Sequence, residues 1–428
     1  MRPTETATPE TPAPETTSTS DRPVTDGGQN SEAPPRDFPI QRGCPFAAPA
    51  EYEALRTHDP VARVTLPTKK EAWVVTRYDD VRELLSDPRV SADIRRPGFP
   101  ALGEGEQEAG ARFRPFIRTD APEHTKYRRM LLPVFTVRRV RAMRPAVQAR
   151  VDEILDGVLA GGGPVDFVSA YANAVSTSVI CELLGIPREN LEFFRDVTRV
   201  SGSRTSTAEQ VSEALGGLFG LLAELVGKRR EEPRDDLISK LVTEHLVPGH
   251  VTMDQLLSTL GITINAGRET TTSMIALSAL LLLDRPELME ELRRDPSLMP
   301  AAVDELLRVL SVADSIPLRV AAEDIDLSGR TIPADDGVIA LLAGANHDPE
   351  QFDDPERVDF HRTDNHHVAF GYGVHQCVGQ HLARLELEVA LETLIRRVPT
   401  LRLAGDRDDV AVKHDSATFG LEELKVTW

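Results

Sequence analysis

The sequence predicts a mainly α-helical protein with a minor β region, and three patterns support that prediction. From about residue 124 to about residue 400, apolar residues recur at the three- and four-residue spacing of buried helix faces. The segment from Met253 to Leu283 runs for roughly thirty residues without proline, which predicts a long central helix. Short runs rich in β-branched residues predict strands at Val61–Leu66, Ala72–Arg77, Leu401–Leu403 and Leu424–Trp428.

Local signals place the first elements. After the first two strands, Asp79 or Asp80 is predicted to cap a short helix that runs through Leu85. Prolines and glycines without a sustained apolar period predict a long loop over residues 91–118, and long loops in compact proteins are commonly functional. A buried helix face around Val140 continues until Gly161–Gly163 ends it.

Further helices are predicted at about 168–184, 207–229 and 236–245, ahead of the central helix. Asp284 with Pro286, and Ser297 with Pro300, mark the starts of the next two helices. Beyond residue 309 the pattern changes to short strands and turns, with one more helix near 379–397.

Composition and charge bound the class of protein. The chain has 428 residues, 40% of them hydrophobic, and a formal net charge of −19, which argues against nucleic acid or an anionic membrane as a partner. The longest nearly apolar run, Met274–Leu283, is about half of the ~20 residues that span a bilayer. Three cysteines and no secretory signal pattern predict a cytoplasmic protein. Residues 1–36, rich in Thr, Pro, Ser and Glu, are predicted to be a disordered tail before a single domain over 37–428.

Cys377 lies in a glycine-rich loop just before the helix near 379–397. Glycines at 371 and 373 allow backbone turns in which amide groups point at the sulfur, and the helix N-terminus adds partial positive charge. Both effects favour a thiolate, which suits a soft metal ligand. One cysteine cannot build a zinc or iron–sulfur site alone, whereas haem iron needs only one. Taken alone, the loop fits a buried structural cysteine better.

The ten residues from Phe370 to Gly379 fill every specified position of FGxGxHxCxG, the haem-binding signature of the cytochrome P-450 superfamily. The chain therefore resembles a bacterial, actinobacterial class I haem-thiolate monooxygenase of that superfamily over nearly all of residues 38–428. The resemblance implies the cytochrome P-450 fold and haem b (iron protoporphyrin IX) as cofactor. Cys377 would be the axial iron ligand, with Phe370, Gly371, His375 and Gly379 around the haem.

A second landmark, Ala266–Thr271 in the central helix, resembles the oxygen-activation motif of that family. Ala266 and Gly267 remove side-chain bulk where a flat cofactor and O2 approach, and Thr270 can bond the carbonyl of Ala266 and open the helix locally. By resemblance, Thr270 would hold the oxygen and ordered water while Glu269 relays protons. Taken alone, a cluster of glycine and threonine in a helix more often indicates a kink, and Glu269 would then be a solvated surface residue. Arg268 departs from the family pattern and could pair with Glu269 or point elsewhere.

Two further sets of residues match family landmarks. Glu305 and Arg308, spaced i and i+3, resemble the ExxR element, and Arg357 is expected to complete its buried ionic triad, although such a spacing alone describes a surface pair. The haem propionates need charge-assisted donors, for which motif position nominates His124, Arg128, Arg319 and His375.

Partners follow from the same resemblance. The chain has no flavin or nicotinamide fingerprint, so electrons from NAD(P)H would come through a ferredoxin reductase and a ferredoxin. The stretch from His124 to Val151 contains basic residues and no acidic residue. By resemblance it lies on the thiolate side of the haem, where an acidic ferredoxin docks. We expect a monomer that takes O2 and a small molecule.

The substrate pocket is expected to involve the 91–118 loop, Ile262, Ala266, the 196–207 loop, and the stretches Ser311–Ile316 and Ala417–Phe419. These segments favour a mostly apolar secondary metabolite, with Arg95, Arg96 and Asp314 as candidates for recognising its polar groups. The alternative to monooxygenation is a haem-thiolate protein that reduces nitric oxide, uses peroxide, or senses ligands or redox state. The acid and alcohol pair Glu269 and Thr270 favours the monooxygenase.

Overall fold

The segments with helical periodicity form most of the structure, which is a computed structural model. It describes residues 35–428, except for the surroundings of Glu104, Gln107, Ala109, Ala111, Arg188, Leu191, Arg195, Thr198 and Gly202. Along that range the α-helices are α1 (Ala50–His58), α2 (Tyr78–Ser86), α3 (Glu104–Phe113), α4 (Glu123–Leu131), α5 (Val137–Gly161), α6 (Asn173–Leu184), α7 (Leu191–Gly202), α8 (Ala208–Glu231), α9 (Leu237–Leu241), α10 (Met253–Asp284), α11 (Pro286–Arg294), α12 (Met299–Leu310), α13 (Leu342–Asn346) and α14 (Gln380–Arg397). π-Helical turns at Val168–Ala172 and Val242–Leu246 extend α6 and α9.

The strands are short. They are β1 (Arg36–Asp37), β2 (Val61–Thr65), β3 (Glu71–Val75), β4 (Val90–Ser91), β5 (Val165–Asp166), β6 (Leu318–Ala321), β7 (Ile325–Leu327), β8 (Arg330–Ile332), β9 (Gly337–Ala340), β10 (Arg402–Leu403) and β11 (Lys425–Thr427). The largest sheet has the order β1-β2-β3-β9-β6-β4, in which β9 pairs in parallel with β3 and antiparallel with β6. The mainly helical prediction with a minor β region is confirmed.

Most of the predicted tail, residues 1–34, lies outside the described range. Its last two residues, Pro35 and Arg36, do not: Arg36 pairs in parallel with Val64 as part of β1. Arg36 is therefore part of a sheet and not of the predicted tail.

The central helix α10 forms as predicted because its start is fixed locally. The Thr252 hydroxyl accepts from the Gln255 amide, and the Gln255 side chain accepts from the Thr252 amide. This reciprocal capping box satisfies two backbone donors at the helix start. Nearly every residue from Thr271 to Leu282 is buried, so α10 forms the centre of the helical core. Within residues 35–428, none of the helices is long and apolar enough to cross a bilayer.

Two local predictions were wrong. α2 begins at Tyr78 rather than after a capping aspartate. Asp79 and Asp80 lie in its first turn, where their negative charge interacts favourably with the positive end of the helix dipole. The predicted 91–118 loop contains α3. Its glycines were interpreted as breakers, but they permit close packing: a Cβ on Gly110 would come within 2.2 Å of the Cδ1 atom of Ile94.

A buried ionic cluster anchors the end of α12. Glu305 and Arg308 are both fully buried and are joined by two hydrogen bonds, of 2.9 Å from Nε and 2.8 Å from Nη2 of Arg308. Glu305 also accepts from the Asp359 amide at 3.0 Å and from the Asn365 side chain at 3.1 Å. One carboxylate thus fixes the chain that leads towards the Cys377 loop.

The third member of this cluster is Arg362, not Arg357. The Nε atom of Arg362 lies 3.3 Å from Glu305, whereas Arg357 is exposed and contributes only its carbonyl, which accepts from Arg308 at 3.2 Å. The two arginines are five residues apart in an irregular segment, so which side chain turns inward depends on the path of the backbone. The prediction that Arg357 completes the ionic triad was wrong.

We predict that Arg308→Met lowers the free energy of unfolding by about 3–5 kcal/mol, because it leaves the Glu305 carboxylate buried without its main partner. Denaturant unfolding of the haem-loaded protein measures this change. The matched control is Arg294→Met, which removes an exposed i, i+4 pair with Glu290 and should cost less than about 1 kcal/mol. Equal small losses for the two variants would contradict the structural role of the buried pair.

Candidate functional site

The loop that carries Cys377 is shaped by two glycines in the left-handed region. Gly371 and Gly373 both have φ of 70°, a conformation that other residues adopt at a cost. Gly373 is also tightly enclosed, since a Cβ there would lie 2.3 Å from the carbonyl oxygen of Leu85. The Cys377 amide donates to the Phe370 carbonyl at 2.9 Å and closes the loop just before α14. The loop therefore holds the sulfur in a fixed position.

The electrostatics of the sulfur combine opposing effects. Burial raises the pKa of the Cys377 thiol, while backbone hydrogen bonds from Gly379 and Gln380 and the charges of Arg128 and Arg384 act to lower it. The amides at the start of α14 thus point at the sulfur as the sequence predicts. Burial outweighs them, so the net direction of the pKa is upward.

Cys377 opens into a large apolar cavity, here called the thiol cavity, with an empty volume of about 1570 Å³ counted out to solvent. All the residues that the sequence nominates for cofactor binding line it: His124, Arg128, Ala266, Gly267, Thr270, Arg319, Phe370, Gly371, His375, Cys377 and Gly379. These residues come from α4, α10, β6 and the Cys377 loop. A flat cofactor can therefore be covered from both sides.

One edge of the thiol cavity is crowded with nitrogen-bearing side chains. The rings of His124 and His375 lie 3.9 Å apart between centroids, and their Nε2 and Nδ1 atoms, respectively, are buried without hydrogen-bond partners. Burial, with the charges of Arg128 and Arg319 next, lowers the pKa of His124 to about 4. Burial also lowers the pKa of Arg319 to about 9, helped by Arg118.

No carboxylate in residues 35–428 forms an ion pair with Arg128 or Arg319 within 4.0 Å. Buried cations of this kind require an anionic partner. Haem, the group that the sequence resemblance implies, has two carboxylates, an apolar ring system and an iron that accepts one thiolate. The donors without acidic partners, the apolar walls and the single thiol of the thiol cavity fit that group.

The wall opposite the loop is α10. The Thr270 hydroxyl donates to the Ala266 carbonyl at 2.8 Å, as predicted, although α10 continues as a regular helix through this point. Gly267 has a packing role that the sequence did not indicate, because a Cβ there would lie 2.9 Å from the Cδ1 atom of Ile180 on α6. Thr270 and Ala266 both face the thiol cavity.

Glu269 lies outside the thiol cavity and is held by two cations. Its carboxylate lies 2.6 Å from Nη2 of Arg268 and 2.7 Å from Nζ of Lys413, and Arg268 also donates to the Asn173 side chain at 2.6 Å. Burial acts to raise the pKa of Glu269, but the charges of Arg268 and Lys413 prevail and lower it. Arg268 therefore pairs with Glu269, which resolves the alternatives that the sequence left open.

A second cavity, here called the adjoining cavity, meets the thiol cavity at Thr270, Ala266, Ile262, Ile117, Ile316 and Arg118. Its empty volume is about 1430 Å³ and its walls come from α3, α8, α10 and the C-terminal segment near Thr418. The segments nominated for the substrate pocket converge here. Arg95 and Arg96 do not line it, because they pair with Asp93 and Asp335 near the surface.

Several residues at these cavities were missed by the sequence analysis. Arg118 lines both cavities and pairs with Glu106 at 3.0 Å, and Arg204 lines the adjoining cavity. Glu386 on α14 lines the thiol cavity, and burial raises its pKa well above the usual range. Its place on a buried helix face, nine residues after Cys377, could have indicated that Glu386 lies at the site. Arg118 and Arg204 offered no such signal, because a lone arginine in a loop is usually solvated.

Comparisons with known proteins agree with this geometry. A family model described as Cytochrome P450 matches residues 189–401. Pentalenic acid synthase of Streptomyces avermitilis is 44% identical over 405 residues, covering 95% of this chain and 100% of the relative. The crystal structure of CYP105N1 from Streptomyces coelicolor is 92% identical, covers 92% of this chain and 99% of that one, and has a TM-score of 0.87.

A third relative was solved with a small molecule bound. Mycinamicin VIII C21 methyl hydroxylase from Micromonospora griseorubida, solved with mycinamicin VIII bound, is 43% identical with a TM-score of 0.86 and covers 92% of this chain and 100% of that one. The fold, the enzyme class and the haem cofactor predicted from the sequence are confirmed. The chain belongs to the cytochrome P450 family of haem-dependent monooxygenases.

Proposed function

We propose that Cys377 binds the haem iron and that the chain inserts one oxygen atom from O2 into a small, largely apolar secondary metabolite. Haem held through this sulfur would supply the activation of O2. The observation that carries this proposal is the thiol cavity, whose apolar walls enclose one cysteine thiol and Thr270. His124, Arg128, Arg319 and His375 would hold the propionates, since they place donors along one edge of that cavity.

Thr270 is proposed as the catalytic alcohol and Glu269 as the acid behind it. The Thr270 hydroxyl lines both cavities, so it can exchange its bond to the Ala266 carbonyl for one to oxygen or to water. For Glu269 to take up and pass on a proton, one of its carboxylate oxygens must first lose its ion pair with a cation. Lys413 is the partner with more solvent exposure, 19% against 4% for the Arg268 side chain, and is therefore the cation that can leave. The pair of Thr270 and Glu269 favours monooxygenation over the sensing alternative.

The substrate is proposed to come from siderophore biosynthesis. A second crystal structure of CYP105N1, 91% identical to this chain, is described as a cytochrome P450 oxidase in the coelibactin siderophore biosynthetic pathway. The other relatives act, by their names, on terpenoid and macrolide products, so the lineage alone does not select a substrate. Identity above 90% favours the siderophore route.

P450 enzymes of this bacterial group receive electrons from redox partners, and we propose a ferredoxin and its reductase. The surface basic residues at the start of α5 and the end of α4 are Lys126, Arg129, Arg138, Arg139 and Arg141, all exposed. Apolar side chains at Leu132 and Val137 are 43% and 41% exposed among them. Phe135, between the two helices, lies 3.9 Å from the Cβ position of Gly379, so this basic face lies beside the Cys377 loop.

A cytoplasmic location is part of the same proposal. Cys44, Cys181 and Cys377 are all free thiols, as in a reducing compartment, and the NAD(P)H-derived electrons are available there.

We predict that Thr270→Ala uncouples electron use from product formation, because the hydroxyl no longer directs protons at the oxygen site. The measurement is the ratio of product formed to NAD(P)H consumed, with peroxide release monitored. Thr270→Ser, which keeps the hydroxyl, should retain most of the coupling. Native coupling in Thr270→Ala would remove Thr270 from the mechanism.

We predict that the double reversal Arg138→Glu, Arg139→Glu slows reduction by an acidic ferredoxin at least tenfold at low salt, because it inverts the field that steers the partner. Stopped-flow reduction of the haem protein measures this rate, and the difference should shrink as salt is added. Arg293→Glu, Arg294→Glu on α11 changes the net charge equally at another surface and should have little effect. Equal rates for the native protein and the α5 variant would refute docking at this face.

A further inference from the structure

We propose that Arg204 forms a subsite in the adjoining cavity for a carboxylate group of the substrate. The inference rests on the proposed monooxygenase function and deepens it, because it assigns the substrate class as an acid with an apolar body. Arg204 lies between α7 and α8, and its side chain lines the adjoining cavity. It also lines a smaller pocket with Arg42, Asp314 and Phe419.

Arg204 is held in place without using its charge. Its backbone amide donates to the Asp415 carbonyl at 2.5 Å, and its Nη2 atom donates to the Ser315 hydroxyl at 3.2 Å. Its Nε atom is buried and has no hydrogen-bond partner. Within the described chain, no carboxylate lies within the 4.0 Å of an ion pair with this guanidinium. A half-buried arginine that forms no ion pair and has a donor without a partner is suited to recognise an anion.

Two acids whose charges act on Arg204 accept hydrogen bonds from neutral groups and form no ion pair with it. Asp314 accepts from the Tyr52 hydroxyl and from the Ala343 amide, both at 2.7 Å. Asp415 accepts from the hydroxyls of Ser203 and Thr205, both at 3.1 Å.

Glu106, the acid that lines the adjoining cavity beside Arg204, pairs with Arg118 at 3.0 Å. Burial lowers the pKa of Arg204, and Glu106 and the more distant acids only partly oppose that effect. A ligand carboxylate would supply the missing counter-charge.

Two arginines and two glutamates are the charged residues that line the adjoining cavity: Arg118, Arg204, Glu106 and Glu269. Arg118 and Glu106 cancel each other, and Glu269 is shared by two cations, Arg268 and Lys413. Arg204 adds one more positive charge without a partner. Among these four side chains, Arg204 is therefore the one whose donors an anionic ligand can take.

The remaining walls define the rest of the ligand. Apolar side chains of Phe113, Leu215, Phe219 and Ile262 line the cavity, which continues to Thr270. A planar carboxylate at Arg204 can accept two parallel hydrogen bonds from a guanidinium, whereas a neutral amide cannot. The ligand class is therefore a carboxylic acid whose apolar part extends from Arg204 towards Thr270.

The test uses the haem-loaded protein and probes of known structure. The acids 4-phenylbutanoate, 6-phenylhexanoate and 8-phenyloctanoate are each compared with their primary amides by isothermal titration calorimetry. In the native protein, at least one acid should bind about tenfold or more tightly than its amide, as expected for a charged hydrogen bond. Arg204→Gln should remove this preference and leave amide binding unchanged, and Arg204→Lys should retain part of it.

The matched control is Arg199→Gln, which removes an exposed arginine of α7 and should keep the native preference. The proposal is overturned if no acid binds more tightly than its amide to the native protein, or if the preference survives in Arg204→Gln. Loss of carbon monoxide spectra typical of thiolate ligation would refute the proposed function instead. Calorimetry reports the acid preference independently of turnover, so the two failures are distinguishable.

Discussion

Placing one cysteine sulfur in an apolar cavity, with its backbone fixed, is the constraint on which the rest of the structure depends. The loop reaches that position only because Gly371 and Gly373 adopt φ of 70° and Gly373 packs against the Leu85 carbonyl. The amides at the start of α14 then point at the sulfur. Helix α10 provides the opposite wall, and the distance between loop and helix defines the space for a flat cofactor.

A polar network holds the segment that leads into this loop, while the cavity-facing edge carries charges without acidic partners. Arg308 donates to the Asn346 carbonyl, and the Asn346 side chain accepts from the Val368 amide, so the Glu305 and Arg308 pair is connected to the chain just before Phe370. The cavity-facing edge differs, since its histidines and arginines lack acidic partners. The fold thus satisfies the charges that hold the backbone and leaves Arg128 and Arg319 at the thiol cavity without acidic partners.

Local patterns predicted the parts of the structure that local chemistry determines. The bounds of α10 follow from the Thr252 capping box and proline spacing, and the Cys377 loop follows from its glycines. Residues brought together by the path of irregular segments could not be predicted in this way: Arg362 replaces Arg357 at Glu305, and Lys413 reaches Glu269 from 144 residues away. Glycines within α3 were misinterpreted because close packing against Ile94 and turn formation favour the same residue.

The central claim is that Cys377 is the thiolate ligand of a bound haem, and the absorption spectrum of the reduced protein with carbon monoxide tests it most directly. The native protein should show the strongly red-shifted Soret band that thiolate ligation produces. Cys377→His, in which an imidazole replaces the sulfur, should lose that band while still binding haem. A native spectrum without the red-shifted band in correctly folded protein, or its persistence in Cys377→His, would contradict the account.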